Sequence, residues 1–143
     1  MNDDDNRQFL DTNVLVYAHD RSAGEKHRRA GAMINDLWQS GSGCLSVQVL
    51  QEFYVTITQK VARRLDQELA SQIVADLASW RVHAPEAADI LKAIEIQRTY
   101  RLSFWDAMII RSAQVVRCQI LWTEDLQPGQ SIAGIQVINP FAV

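Results

Sequence analysis

Apolar positions recur along this chain at two periods, and the switches between them mark out its elements. Residues 7–10 read as a short strand that ends at Asp11, with the polar Asp11-Thr12-Asn13 as punctuation before a helical turn through Val14 and Tyr17. Ala30, Met33, Ile34, Leu37 and Trp38 stand at helical spacing, which predicts an amphipathic helix over residues 25–39. Gly41 and Gly43 are expected to end it, and Cys44 and Leu45 to start a second strand. Ser46 suits the N-cap of the next helix, whose apolar stripe is Leu50, Phe53, Tyr54, Ile57 and Val61. A further helix is predicted from Asp66, carrying Leu69, Ile73, Leu77 and Trp80. Residues 81–84 form a candidate strand, and Pro85 suits the first position of a helix that runs to about Tyr100. Ser103 caps a helix predicted over 104–117. Then follow a strand at Ile120–Trp122, a loop with Pro128 and Gly129, and a last strand at Ile135–Ile138 stopped by Pro140.

Short apolar strands separated by helices predict an α/β fold: a three-layer α/β/α sandwich around a central, mostly parallel sheet. There is no internal repeat, low-complexity tract or Pro/Gly-rich linker, so residues 1–143 are expected to form one domain, with 1–6 disordered. That length can bury a core without disulfides or metals as staples. In such sheets ligands bind beyond the carboxyl ends of the strands. Asp11 and Asp125 each lie just past the end of a predicted strand.

Composition narrows the function. At 48% hydrophobic and 22% charged the chain is ordinary for a globular protein, and no apolar run approaches the ~20 residues of a membrane span. Met1 to Asn6 is acidic and polar, unlike a signal peptide. Cys44 and Cys118 have no metal-ligand spacing and read as two buried, reduced thiols, which fits a cytoplasmic protein. A net charge of −3 argues against gripping nucleic acid by bulk electrostatics, though not against an acidic metal site. Any nucleic-acid path must then be a local basic patch, with Lys26, Arg28, Arg98 and Arg101 as candidate RNA contacts.

The chemistry points to carboxylates. His19, His27 and His83 are scattered, without a ligand-like partner at i+4. Asp11 reads equally as a rim carboxylate and as a turn or N-cap acid. Ser103-Phe-Trp-Asp106 matches a capping box, which accounts for Asp106 by itself but is compatible with a cleft-facing role. Glu52 points away from the apolar stripe of its helix, so it is a solvated residue unless that other face lines a cleft. Asp125 reads equally as a loop acid.

Taken in order along the chain, these residues resemble the PIN-domain family, which includes the VapC-type toxins of toxin–antitoxin pairs. Phe9-Leu10-Asp11-Thr12-Asn13-Val14-Leu15-Val16-Tyr17-Ala18 is similar to the family's opening motif, and Gln51-Glu52-Phe53 to its second acidic motif. Ser103-Phe104-Trp105-Asp106-Ala107-Met108-Ile109 resembles the third, and Leu121-Trp122-Thr123-Glu124-Asp125-Leu126 the fourth, with its Thr-x-Asp core. The resemblance implies the same α/β/α fold and a ribonuclease using Mg²⁺, with Mn²⁺ as substitute. It implies Asp11, Glu52, Asp106 and Asp125 as catalytic and metal-site carboxylates, supported by Thr12, Asn13 and Thr123. It also implies an RNA substrate, an inhibitory protein antitoxin and a homodimer. In the mechanism this suggests, Asp11, Asp106 and Asp125 hold the metal, and Glu52 binds it or orients the attacking water. Asp and Glu suit hard divalent cations, which neutralise developing charge and acidify bound water. Two alternatives stand beside it: a catalytically silent RNA- or protein-binding scaffold of the same fold, and a phosphatase of haloacid-dehalogenase type. The latter uses Asp-x-Asp, whereas the second position here is Asn13.

Overall fold

The structure is a computed structural model that describes residues 6–126 and 129–142, so the expectations for residues 1–5 and for Pro128 lie outside it. Its elements follow in the order β1 (Gln8–Leu10), α1 (Thr12–His19), α2 (Glu25–Ser40), β2 (Gly43–Ser46), α3 (Val47–Gln59), α4 (Gln67–Leu77), β3 (Arg81–His83), α5 (Ala87–Tyr100), α6 (Phe104–Val115), β4 (Ile120–Trp122), β5 (Ser131–Ile132) and β6 (Ile135–Ile138). The six strands form one sheet in the order β3-β2-β1-β4-β6-β5. All neighbours are parallel except the β5–β6 hairpin. This is the mostly parallel α/β/α sandwich expected from the alternation of strands and helices. Phe9, Leu10, Cys44, Leu45, Leu121 and Val137 fill the sheet with essentially no exposure, and Leu15, Phe53 and Ile110 meet them from the helices. Among the described residues no helix is long and apolar enough to cross a membrane. Cys44 and Cys118 are both buried and free, and contact with Cys44 together with burial pushes the Cys118 thiol up.

The chain leaves β1 towards β2 on one side and returns to β4 on the other, so the sheet has its switch point between β1 and β4. Leu10 pairs with Trp122 in parallel register, which sets the next residues, Asp11 and Thr123, side by side at the carboxyl edge. Asp11 N donates to Trp122 O at 3.0 Å and carries the pairing one residue past the strand.

Several boundaries differ from the sequence reading for local reasons. Gly41 alone ends α2, in the left-handed region at φ 69° with its N–H donating to Leu37 O. Gly43 is instead the first residue of β2. Its lack of a side chain has a packing cause: a Cβ there would overlap the Trp80 ring, with Cη2 2.8 Å away. Trp80 lies beyond the end of α4 and stacks edge-on against Trp38, centroids 5.2 Å apart. Gly43→Ala should therefore displace Trp80 and destabilise the fold by about 1–3 kcal/mol through overpacking. Urea titration checks this, and an unchanged midpoint would show that Trp80 swings away freely. Val61 falls beyond the end of α3, although it still packs on the core. Pro85 precedes the N-cap rather than opening α5: Glu86 caps the helix in a reciprocal box with Asp89. The short β5 escaped the pattern because two residues cannot show a period. Ala133 and Gly134, both at positive φ (50° and 85°), turn it back into β6.

Asp89 also ties α5 to its neighbours. Its carboxylate accepts from Glu86 N (2.9 Å) and Arg111 Nε (2.9 Å), and lies 3.2 Å from His83 Nε2. His83 Nδ1 in turn meets Ser112 Oγ at 2.8 Å. The Glu86 N–H, followed by Arg111 and His83, holds the Asp89 carboxyl below the usual carboxylate range. This network fixes α6 against β3 and α5, and α6 is the helix that begins beside Asp106.

Candidate active site

Asp11 is the buried centre of the carboxyl edge, only 6% exposed. It caps α1, with Oδ1 accepting from Thr12 N at 2.7 Å, while Oδ2 accepts from Thr123 Oγ1 at 2.7 Å. The Thr123 hydroxyl also accepts from Asp125 N at 3.1 Å, so one threonine links the first acid to the last. Burial pushes the Asp11 carboxyl up from 3.8 to about 6, the charges of Asp125 and Asp106 push the same way, and the bonds from Thr123 and Thr12 hold it back. Two readings of Asp11 that competed in the sequence are both true of its geometry: it is an N-cap and a rim carboxylate.

Asp106 stands half-buried in the first turn of α6. The helix is capped by Ser103 Oγ, which accepts from Asp106 N at 3.1 Å. The cap thus engages the Asp106 backbone. Burial is the main cause that raises the Asp106 carboxyl, helped by Asp125 and Glu52, while the neighbouring Ser103 hydroxyl lowers it. Glu52 is exposed, yet it is not an ordinary solvated glutamate. Oε2 accepts from Thr12 Oγ1 at 2.8 Å, and Oε1 accepts from Gln48 Nε2 at 3.0 Å. The face of α3 opposite its apolar stripe does line a cleft. Thr12, Asn13, Glu52 and Asp125 share a cleft of about 380 Å³ with Tyr17, Asp20 and Thr56.

Asn13 contributes an unusual feature. Both polar atoms of its side chain are shielded from solvent, and neither has a hydrogen-bond partner among the described residues. Buried amides are normally satisfied, so an orphaned one at a rim of carboxylates calls for a further polar occupant. Gln48 was missed in the sequence, although its i,i+4 spacing to Glu52 on a helix is the signal that could have found it. Glu124 turns away from the other acids. It accepts from Tyr17 Oη at 2.7 Å and pairs with Lys26, whose ammonium also lies 5.0 Å from the Tyr17 ring centroid. Lys26 and Tyr17 hold the Glu124 carboxyl low against its burial and so anchor the loop that presents Asp125.

The four basic side chains singled out in the sequence therefore differ. Lys26 is engaged by Glu124 and Arg28 by Glu25, whereas Arg98 and Arg101 are exposed and have no ion pair among the described residues.

The four acids share one electrostatic field, since Asp11 and Asp106 both respond to Asp125, and Asp106 to Glu52. Among the described residues, no group of three or more His, Cys, Asp or Glu is gathered closely enough to hold a metal ion unaided. Like charges favour such an open arrangement. A hard cation that keeps several waters and takes one or two carboxylates plus substrate phosphate oxygens does not require a closed cage.

A family model for the PIN domain matches residues 9–129, the stretch from the end of β1 to the loop before β5. The chain belongs to the PIN-domain family. PIN domains are nucleases that generally use divalent metals. No curated protein matches the sequence. Solved structures share the fold at low identity. A toxin–antitoxin complex from Klebsiella pneumoniae aligns with TM-score 0.70 and 20% identity, covering 95% of this chain and 99% of that one. VapBC from Salmonella typhimurium, bound to DNA, gives 0.64 and 17%, covering 92% and 96%. VapC20 from Mycobacterium tuberculosis, a toxin that cleaves the sarcin–ricin loop, gives 0.60 and 20%, covering 80% and 86%.

The PIN-domain residues fit a hard divalent cation: the acids offer only oxygen donors, the raised Asp11 carboxyl sits among like charges that a cation would offset, and the Asn13 amide lacks a partner among the described residues. Asp11, Asp106 and Asp125 would hold the ion, with Glu52 beside them. Bound there, it would neutralise charge on a phosphate and make a water acidic enough to attack. The chain's own groups do the rest. Thr12 and Thr123 hold both oxygens of Asp11, Gln48 and Thr12 hold Glu52, and Asp106 stands in the first turn of α6.

Proposed function

We propose that this PIN domain, one nuclease unit spanning residues 1–143, is a Mg²⁺- or Mn²⁺-dependent endoribonuclease and the toxin of a toxin–antitoxin module. The observation that carries the reading is the buried Asp11 carboxylate, clamped by Thr12 and Thr123 and electrostatically joined to Asp106 and Asp125. Burial and the charges of Asp106 and Asp125 make ionised Asp11 costly in the empty site, and a bound cation would offset that cost. The structural relatives include toxin–antitoxin complexes and an RNA-cleaving toxin, which supports RNA as substrate and an inhibitory protein as partner. An apolar groove between α3 and α4, lined by Val47, Leu50, Tyr54, Val55 and Val74, offers such a partner a surface. Homodimerisation and a reducing, cytoplasmic setting complete the reading, the latter supported by the two free buried thiols.

The test is cleavage of total cellular RNA by purified protein with Mg²⁺, followed by mapping of the new ends. Discrete internal cuts are expected from the parent and none from Asp106→Asn folded to the same circular dichroism. Intact RNA under both conditions would favour the silent scaffold. No observation supports a phosphatase, because Asn13 cannot act as the second aspartate of that mechanism.

A further inference from the structure

The first turn of α6, just past the short turn from α5, carries a large aromatic surface that the acid site leaves unused. Trp105 is 63% exposed and immediately precedes Asp106. Its indole is braced edge-on by Phe104, with centroids 5.1 Å apart and an interplanar angle of 75°. Its position is also tied to the rim. Gln48 Nε2, which holds Glu52, lies 3.5 Å from the Trp105 carbonyl oxygen. On the other side of the same short turn stand Arg98, Tyr100 and Arg101, all exposed. Neither arginine has an ion pair among the described residues, and Arg101 is the left-handed cap of α5 at φ 56°.

Exposed tryptophan is unfavourable in water, and a braced one next to a reacting carboxylate has a chemical use. We infer that Trp105 is a stacking platform for a base of single-stranded RNA beside the scissile phosphate, with Arg98 and Arg101 taking the adjoining backbone. The inference rests on the ribonuclease reading and names how that site holds its substrate.

The chain's charge favours this arrangement. With a net charge of −3 and four acids at the rim, the protein cannot draw RNA in by its overall field. Stacking of a base on an aromatic face needs no charge, tolerates any sequence and is the common device of single-strand recognition. A second copy of the chain fits the surface less well. Docked at Trp105, it would bring carboxylates around Asp106 towards like charge, and it would leave Arg98 and Arg101 without anions. An RNA backbone supplies those anions.

The experiment is steady-state cleavage of a mixed-sequence single-stranded oligoribonucleotide with Mg²⁺ by the parent, Trp105→Ala and Trp105→Phe. Each is checked by circular dichroism and sedimentation. Trp105→Ala should raise KM about tenfold, within the range measured for loss of one stacked base, with kcat within about twofold. Trp105→Phe should restore most of the affinity, which a merely structural role would not require. An unchanged KM in Trp105→Ala overturns the inference. So does a fall in kcat at unchanged KM, which would make Trp105 a positioner of Asp106. A change in sedimentation with unchanged KM would assign the surface to a second copy and overturns it equally. A parent that neither cuts nor binds the oligonucleotide fails differently, and takes down the ribonuclease reading itself.

Discussion

Asp11→Asn should cut RNA at least about a thousandfold more slowly than the parent and, without metal at pH 8, should melt several degrees higher. The loss of rate follows from removing the buried anion of the proposed metal site, where a few kcal/mol of transition-state stabilisation corresponds to about three powers of ten. The gain in stability follows from linkage. The Asp11 carboxyl is raised from 3.8 to about 6 in the folded protein, chiefly by burial. A raised acid binds its proton more tightly when folded, so the associated stability is fully present below pH 3.8. It is lost as pH rises through about 6, and above that the ionised group costs about 3 kcal/mol. Asparagine carries no charge and avoids that cost. It keeps an acceptor for Thr12 N but presents an amide where Oδ2 accepts from the buried Thr123 hydroxyl, and that lost bond returns about 1 kcal/mol. The net gain at pH 8 is therefore about 2 kcal/mol, and near pH 4 the difference should vanish or reverse. Melting curves of both proteins across that range are the check. A variant that melts lower than the parent at every pH would show that Thr123 and Thr12, rather than charge, dominate at this position.

The place of Asp11 was legible in the sequence, but the partners that clamp it were not. Strands and helices long enough to show a period were readable, as were the caps at Ser46 and Ser103, because hydroxyl acceptors bond nearby backbone N–H groups whatever the tertiary context. The position of Asp11 at the carboxyl edge followed from its place after β1. What could not be read is everything that depends on which elements become neighbours. Thr123 meets Asp11 across 112 positions of sequence, and Tyr17 meets Glu124 across 107. The wheel of α3 showed that Glu52 faces away from the core, but whether that side meets solvent or a cleft depends on where Thr12 lies. The same limit applies to the basic residues. Lys26 and Arg101 look alike along the chain, yet among the described residues Lys26 finds a carboxylate within reach and Arg101 does not. Gly43 resembled a helix stop because the Trp80 ring that demands it comes from 37 residues later, a contact no local rule contains.

Chelation should abolish cleavage, and Mg²⁺ or Mn²⁺, but not Zn²⁺ alone, should restore it. Among the four acids and the threonine and asparagine around them, every charged donor is a carboxylate oxygen, the ligand type suited to Mg²⁺ and Mn²⁺. Zn²⁺ prefers nitrogen and sulfur in a tetrahedron. The nearest histidine on α1, His19, is turned to the Leu15 carbonyl and the Phe53 ring. Since no three of these side chains converge on a point, affinity for the free protein should be weak and should rise when RNA phosphate supplies further oxygens. The same metal should act on stability. An ion that binds only the folded chain stabilises it by ~2.7 kcal/mol at a hundredfold excess over Kd, so millimolar Mg²⁺ should raise Tm modestly and Mn²⁺ more. Asp106→Asn should shrink that increment. It should also leave the metal-free Tm level or higher, because the half-buried Asp106 carboxyl is raised by burial and by the charges of Asp125 and Glu52, while the Ser103 cap bonds its backbone and survives the change. Melting at matched ionic strength, with and without metal, separates these effects. Full cleavage in excess chelator would end the metal mechanism, and an equal metal-induced rise in parent and Asp106→Asn would remove Asp106 from the ligand set while leaving its helix capped as before.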